Sequence, residues 1–381
     1  MSLQVGFGAT VWARGKLHQE LDGIGYYTQA LAAHLQPAQV QCLPVVFGPA
    51  PTSLNKQPPF NQPLVTTSAY KWLALQSAIT GLSFPVENSL KQKINLFHAT
   101  DHHIPKLKGI PVLATIMDAI PLSNPEWGNQ QLRQFKNALW KKSVEWADHV
   151  VTISDYSKQE IMTHFQVPED KISVVYLGVD PKYGQRLDAV RLKTCLNKHN
   201  LQRPFFLCVG TLQPRKNIGR VLEAFKQLPA NIQSEFDLVI VGRNGWGVEG
   251  LVNELQNQGP ASHVKWLGAV SEEDKLCLLQ AATSLVFPSL SEGFGLPLLE
   301  AFAAGTPVIS SNTTSLAEIA GGSALSIDPE QTESVSHAMQ TLAESTQLQS
   351  ELVVLGRQRA AAFTWQTCAD QTAAIYKQMA R

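Results

Sequence analysis

The stretch SLSEGFGLPLLEAFAAGTPVIS, residues 289–310, places Glu292 and Glu300 on either side of seven mostly apolar residues. Charged groups are rarely buried without a partner, so two carboxylates in such a setting call for a ligand or an ion pair. LVFPS reads as a buried strand and LSEGFGLP as the loop at its carboxyl end, where open α/β sheets bind ligands. LPLLEAFAAG reads as the helix that follows, with Pro297 in its first turn and Gly305 at its stop. Gly293 and Gly295 would let backbone amides approach a ligand closely. Glu292, on the loop, can accept hydrogen bonds from sugar hydroxyls. Glu300, about a turn into the helix, is placed to hold a ribose diol through two charge-assisted hydrogen bonds, each worth about 1.5–3 kcal/mol. An exposed helix face is the plainer account of Glu300, but its neighbours Leu298, Leu299, Ala301 and Phe302 are apolar.

Outward from this stretch, the rear half alternates strands and helices. RPFFLCVGTL, FDLVIVGR, VKWLG, SLVFPS, TPVISS and ALSID read as strands. In VGTLQPRKNIGRVLEAF a strand ends at Val209 and Asn217 can cap the next helix. Arg215 and Lys216 sit beside that helix start, where free N–H groups and the positive dipole end favour an anion. A guanidinium fork and an ammonium there suit a diphosphate, although adjacent basic residues also suit a solvated turn. The spacing is not that of a nucleotide-hydrolase phosphate loop, and VGRNGWG lacks the full dinucleotide fingerprint.

The front half repeats the pattern with LQVGFGATVW, INLFHA, VLATIM, HVVTIS and ISVVYLGV as strands. DGIGYYTQALAAHL opens a Gly-rich helix at Gly23 and Gly25. NQQLRQFKNALWKKSVEWA is expected to be a helix with Leu132, Phe135, Leu139 and Trp146 facing the core. That leaves Arg133, Lys136, Lys141 and Lys142 beside Trp140 on the outer side, a pattern of interfacial helices as well as of solvated basic faces. Two α/β domains result, 1–195 and 196–364, with 181–203 as a polar linker. The final helix, about 365–381, is free on this reading to pack on either.

Composition narrows the function. The formal net charge is zero, which argues against nucleic acid as a partner. Residues 1–195 carry 18 Lys/Arg against 14 Asp/Glu, a net of +4, so the remainder of the 31 and 31 carries −4. Five scattered cysteines show no metal-ligand spacing and fit a reducing compartment. No signal-peptide pattern or membrane-span-length apolar run is present, so a cytoplasmic protein with at most peripheral membrane contact is expected.

PSLSEGFGLPLLEAFAAGTPVISS resembles the signature of family 4 of the retaining glycosyltransferases. The likeness extends through VGTLQPRKN, LVIVGRNGWG, VKWLGAVSEEDK, TSLAEIAGGSAL and FTWQTCADQTAAIY, and more weakly to DGIGYYTQAL, TIMDAIP, TISDYSKQEI and VYLGVD in front. It implies the GT-B fold: two facing Rossmann-like doubly wound domains, the C-terminal helix returning from Trp365 to the N-terminal acceptor domain. Carried over residue by residue, it implies ribose binding by Glu300 and donor-sugar binding by Glu292, with backbone contacts from Phe294, Gly295 and Leu296. Arg215, Lys216 and Gly25 would hold the donor diphosphate. Val270 and Lys275 would line the base pocket. Glu292 and Asp118 are the implied catalytic residues. No metal or other cofactor is implied, and no Asp-X-Asp motif stands near the rear site. The family's His-Asp pair is replaced by Met117-Asp118, which leaves His98, or His102 and His103, as candidates to contact sugar or acceptor.

The resemblance points to a mannosyltransferase-like branch. GDP-mannose is the first expected donor and a glycan or glycolipid the acceptor, in surface polysaccharide (lipopolysaccharide) synthesis. UDP-hexose or 6-deoxyhexose donors, and a non-catalytic carbohydrate-binding subunit, remain open. Glu292→Ala is expected to lower turnover and leave free-nucleotide affinity intact.

Overall fold

The computed structural model describes residues 2–18, 20–127, 132–259 and 262–380. It divides into a front unit, residues up to 178 together with those from 364 on, and a rear unit, Val179–Phe363.

The front sheet contains β1 (Leu3–Gly8), β2 (Val40–Phe47), β3 (Val65–Thr67), β4 (Leu96–Ala99), β5 (Val112–Thr115), β6 (His149–Thr152) and β7 (Ile172–Val174). They lie in the order β3-β2-β1-β4-β5-β6-β7, every pair parallel. The rear sheet contains β8 (Phe205–Val209), β9 (Asp237–Val241), β10 (Val264–Gly268), β11 (Ser284–Phe287), β12 (Val308–Ser311) and β13 (Leu325–Ile327), in the order β10-β9-β8-β11-β12-β13, again parallel. β8, β9 and β11 are buried at every residue. Strands covered on both faces read as continuous apolar runs, which is why these central rear strands stand out in the sequence. The order in which strands are added reverses at one place in each sheet, between β1 and β4 in front and between β8 and β11 behind. Those switch points, at the carboxyl ends of the strands, are where such sheets bind ligands.

The first strand was read too long. It ends at Gly8, and Thr10–Leu17 is a helix. Asp101 accepts the Val11 N–H at 3.3 Å, and Thr10 Oγ1 accepts the Phe47 N–H at 3.0 Å. Side chains from neighbouring loops thus hold the turn, and sequence periodicity cannot show that. The sequence does not announce β3, which is only three residues long, or β2, where Pro44 interrupts VQCLPVVF. The structure accommodates it: the Val45 carbonyl accepts from Ala9, so Val45 faces β1 and Pro44 faces the other side. Pairing with β3 begins only at Val45. The missing N–H of Pro44 therefore costs no ladder bond.

The boundary expected near residue 195 falls instead after Gly178. The segment read as a linker is structured: Asp188 accepts the Arg191 N–H at 2.8 Å and caps the helix Ala189–Lys198, which packs on the helix Glu272–Ala281. The last helix, Trp365–Met379, packs on Gly23–Leu35 in the front unit, with Trp365 edge-on to Tyr26 at 5.8 Å. A Cβ on Gly178 would lie 2.1 Å from the Trp365 nitrogen, so only glycine fits at that crossing.

The basic helix is out of phase with its reading. It runs Arg133–Val144, and residues 128–131 lie outside the described residues. Leu132 has φ +54 and stands before the helix, so counting a stripe from it misplaces the rest. Leu132 and Phe135 are exposed, whereas Arg133 is buried and donates to the Pro121 carbonyl at 2.7 Å. Trp140 packs edge-on to Phe165 at 4.7 Å. Neither Arg133 nor Trp140 therefore belongs to an outward basic face.

Candidate functional site

At the rear switch point the loops after β8 and β11 are tied together. Leu290 N–H donates to the Arg215 carbonyl at 2.7 Å. Asn217, expected as a helix cap, has φ +58 and its side chain makes no cap bond to the helix that follows. Its amide instead donates to the carbonyls of Pro288 (3.2 Å) and Pro329 (2.7 Å). The helix Ile218–Lys226 starts without a side-chain cap, so its positive end offers amides to an anion.

The two cations assigned to the diphosphate and the carboxylate assigned to the sugar form one cluster here. Arg215 Nη1 donates to Glu292 Oε2 at 2.7 Å and to the Ser291 carbonyl at 3.1 Å. Lys216 Nζ donates to Glu292 Oε1 and stands over the Phe287 ring. Glu292 is only 7% exposed. Burial alone would raise its carboxyl, but the charges of Lys216 and Arg215 and their hydrogen bonds outweigh it and bring it down to about 2. The Ser315 hydroxyl fixes the Glu292 carbonyl at 2.7 Å.

The loop then turns at Gly295 (φ +104), where a Cβ would meet Leu316 at 2.5 Å. Leu296 begins the next helix, Leu296–Ala304. The Phe294 ring is buried beside Phe363 and presents no face to a ligand. Glu300 lies on that helix and pairs with Lys275 at 3.2 Å. Lys275 also pairs with Glu272 at 3.0 Å and stands over the Tyr183 ring, whose hydroxyl donates to Glu272 at 2.9 Å. Glu300 and Lys275 are thus together, and part-buried Val270 precedes the cap of Lys275's helix. Tyr183 was missed because it falls in the supposed linker.

At the front switch point a cavity of about 690 Å³ opens between the loops after β2, β4 and β5. Met117 and Asp118 line it, and Asp118 accepts the Ile120 N–H at 3.1 Å. Gly25 does not line it; its N–H already donates to Asp22 at 2.8 Å, so it offers no spare donor to a phosphate.

His98 is a core histidine. It is fully buried, with Nδ1 against the Tyr376 hydroxyl at 2.6 Å and Nε2 against the Thr115 hydroxyl at 2.7 Å. Burial pulls its pKa down to about 3, so the ring is neutral. It cannot replace the histidine absent at Met117. His98→Ala is expected to lower stability by about 2–4 kcal/mol, from a cavity plus two stranded hydroxyls, at an unchanged donor KM. Chemical denaturation and initial rates would check both halves.

Among the described residues two groups bring metal-ligand atoms within 4.8 Å of one another: Asp101, His102 and His103, and Cys195, His199 and Asp274. Each carboxylate already has a partner, His103 for Asp101 and Lys198 for Asp274.

Residues 21–183 match the family description Glycosyltransferase Family 4, and residues 196–359 match Glycosyl transferases group 1. The chain is 32% identical over 284 residues to O-antigen chain mannosyltransferase B of Escherichia coli, covering 74% of each protein. It is 29% identical over 254 residues to the serotype-specific mannosyltransferase WbdA of Escherichia coli, covering 65% of this chain and 31% of that longer protein. Anabaena HepE, solved in complex with UDP and glucose, matches 99% of this chain and 100% of its own, with TM-score 0.74 and 17% identity. That likeness is one of fold. With two parallel α/β units of the GT-B type and these family matches, the chain belongs to the group 1, family 4 glycosyltransferases.

Proposed function

We propose that this chain is a retaining transferase that moves a hexose, first of all mannose from GDP-mannose, onto a glycan or glycolipid acceptor in surface polysaccharide synthesis. The observation that carries the reading is the Arg215–Glu292–Lys216 cluster at the rear switch point. Two fixed cations beside an uncapped helix start suit a leaving diphosphate, whose developing charge they would stabilise. On this reading Glu292 faces the sugar attached to that diphosphate. The bond from the sugar's anomeric carbon to the diphosphate oxygen breaks, the acceptor hydroxyl bonds to that carbon from the same face, and its proton passes to the departing phosphate. Protein carboxylates need not form a covalent intermediate on this route. The names of the two E. coli relatives support mannose and a surface glycan.

A thermal-shift comparison of GDP, UDP, ADP and dTDP tests the donor, since a ligand that binds the folded state raises Tm. GDP is expected to give the largest rise. Glu300→Ala should remove up to a few kcal/mol of that binding, the worth of two charged hydrogen bonds to ribose. A larger rise with UDP would transfer the reading to a UDP-hexose.

We also propose that the enzyme works at the cytoplasmic face of a membrane. No described helix is long and apolar enough to cross one. The helices Tyr70–Thr80 and Arg133–Val144 pack together and expose Trp72, Ile79 and Phe135, with Leu82 and Leu132 just outside their ends. Lys71, Lys136, Lys141 and Lys142 are exposed on the same pair. Apolar anchors among cations suit an anionic lipid surface. Co-sedimentation should rise with the anionic lipid content of vesicles and fall in Trp72→Ser/Phe135→Ser; indifference to anionic lipid would overturn the proposal.

A further inference from the structure

Away from both switch points, two helices of the rear unit meet across a group of side chains that no role above uses. Cys195 lies on Ala189–Lys198, and His199 caps that helix, its N–H donating to the Cys195 carbonyl at 3.2 Å. Asp274 and Cys277 lie on Glu272–Ala281, which packs against it. Spacings of four and of three residues put each pair on one side of its helix. The Cys195 sulfur, a His199 ring nitrogen and an Asp274 carboxylate oxygen lie within 4.8 Å of one another. The Cys195 thiol is also hydrogen-bonded to Cys277, and both cysteines are buried. The sequence hides this, because the two halves of the group stand far apart in it.

The hydrogen bonds of the group do not close among themselves. Asp274 Oδ2 accepts from Lys198 Nζ at 2.6 Å, and the Asp274 N–H donates to the Ser271 hydroxyl at 3.0 Å. His199 Nε2 is buried, stands 3.5 Å from the same Asp274 oxygen, and has no hydrogen-bond partner. A buried ring nitrogen left in this way costs about as much as a lost hydrogen bond. An ion pair between helices accounts for Lys198 and Asp274. It does not account for an orphaned imidazole nitrogen and a thiol gathered at the same carboxylate.

Thiolate, imidazole and carboxylate are donors that suit zinc, which takes four of them in a tetrahedron at about 2.0–2.3 Å. Ligand atoms would then stand about 3.3–3.8 Å apart, so side-chain shifts of about 1 Å close the group around an ion. Zinc binds the thiolate, and each coordinating cysteine gives its proton to solvent. Lys198 is a weak competitor, because its side chain is 60% exposed and can turn into water. Asp274 and His199 keep some exposure, which gives the ion a way in.

We infer that Cys195, His199 and Asp274 bind a zinc ion that fastens these two helices together, with Cys277 as the fourth ligand. Such an ion is structural, since four protein ligands leave no open position for a substrate.

The test takes the full chain, purified without a polyhistidine tag, kept reduced, stripped with a chelator and titrated with zinc or cobalt. Zinc should bind as a single ion per chain and raise Tm, and excess chelator should reverse the rise. Cobalt should give a thiolate charge-transfer band together with the strong visible bands of a tetrahedral site. The Asp101–His102–His103 group contains no sulfur and cannot give the first of these. Cys195→Ser and His199→Gln keep much of the shape of the residues they replace. Each should weaken zinc about a hundredfold or more, since even outer-shell losses cost about 10–100-fold. Their Tm without metal should stay near that of the stripped protein, so that lost binding is not lost folding. Lys198→Ala releases Asp274 and should tighten zinc by up to about fivefold, the strength of an exposed ion pair. No zinc binding by the stripped, folded protein, a cobalt complex without the thiolate band, zinc affinity within about threefold of the unmodified value in Cys195→Ser, or weaker binding in Lys198→Ala would each overturn the assignment.

Discussion

Glu292→Ala should bind GDP about tenfold more tightly than the unmodified protein while transferring sugar about a hundredfold or more slowly. Arg215 and Lys216 are both committed to the Glu292 carboxylate, so a diphosphate arriving there competes with an anion already in place. Removing the carboxylate removes the competitor, and tenfold corresponds to about 1.4 kcal/mol. Turnover falls because the sugar loses the charge nearest its developing cation; single electrostatic groups of this kind are worth roughly 10²–10³ in rate. The sequence alone suggested unchanged nucleotide affinity, since it gave no sign that acid and bases touch. Calorimetry with GDP alongside initial rates would decide: weaker GDP binding contradicts the competition, and near-normal turnover removes Glu292 from the chemistry.

The converse substitutions, Arg215→Ala and Lys216→Ala, should weaken GDP by roughly ten- to a hundredfold each, the value of about 1.5–3 kcal/mol for a charged hydrogen bond, and leave guanosine almost untouched. They should also make the protein sensitive to acid. With a folded pKa near 2 against an ordinary 4.5, Glu292 contributes stability that is present above pH 4.5 and is lost as pH falls towards 2. Without one cation the carboxyl is pulled down less, so acid unfolding should begin at a higher pH. In the Arg215→Ala/Lys216→Ala pair a buried carboxylate is left alone, which typically costs about 3–5 kcal/mol. Parallel loss of guanosine affinity would mean that these residues hold the loop and not the phosphates. An unmoved acid-unfolding midpoint would mean that the ion pairs contribute nothing to stability.

What the sequence disclosed and what it hid follow from the range of the forces involved. The rear strands and the Glu292–Glu300 turn are local patterns, written in consecutive apolar residues and glycines, and they stand where expected. The union of Glu292 with Arg215 and Lys216 spans more than seventy positions, and the carboxylate and the two cations each had a plausible task apart from the other. His98 looked available because a strand-end histidine is polar; its two partners, Thr115 and Tyr376, lie 17 and 278 residues away. Leu132 looked like a core residue because periodicity assumes that the helix has begun, and its positive φ says otherwise. Asp101 and His103 gave no signal of their own pairing beyond adjacency, and Tyr183 was lost with the misplaced boundary.

The helix Trp365–Met379 has a consequence for how the chain is made. Trp365, Cys368, Ala373, Ile375 and Tyr376 are buried, and Tyr376 hydrogen-bonds His98 inside the front unit. The front unit is therefore discontinuous in time as well as in sequence: its first 178 residues leave the ribosome with part of their core uncovered. The rear unit, continuous from Val179 to Phe363, can fold while the front one waits, since domains fold as they emerge. During that interval the apolar side chains destined for Trp365 and Tyr376 are open to water, chaperones or other nascent chains. The part synthesised first is completed last.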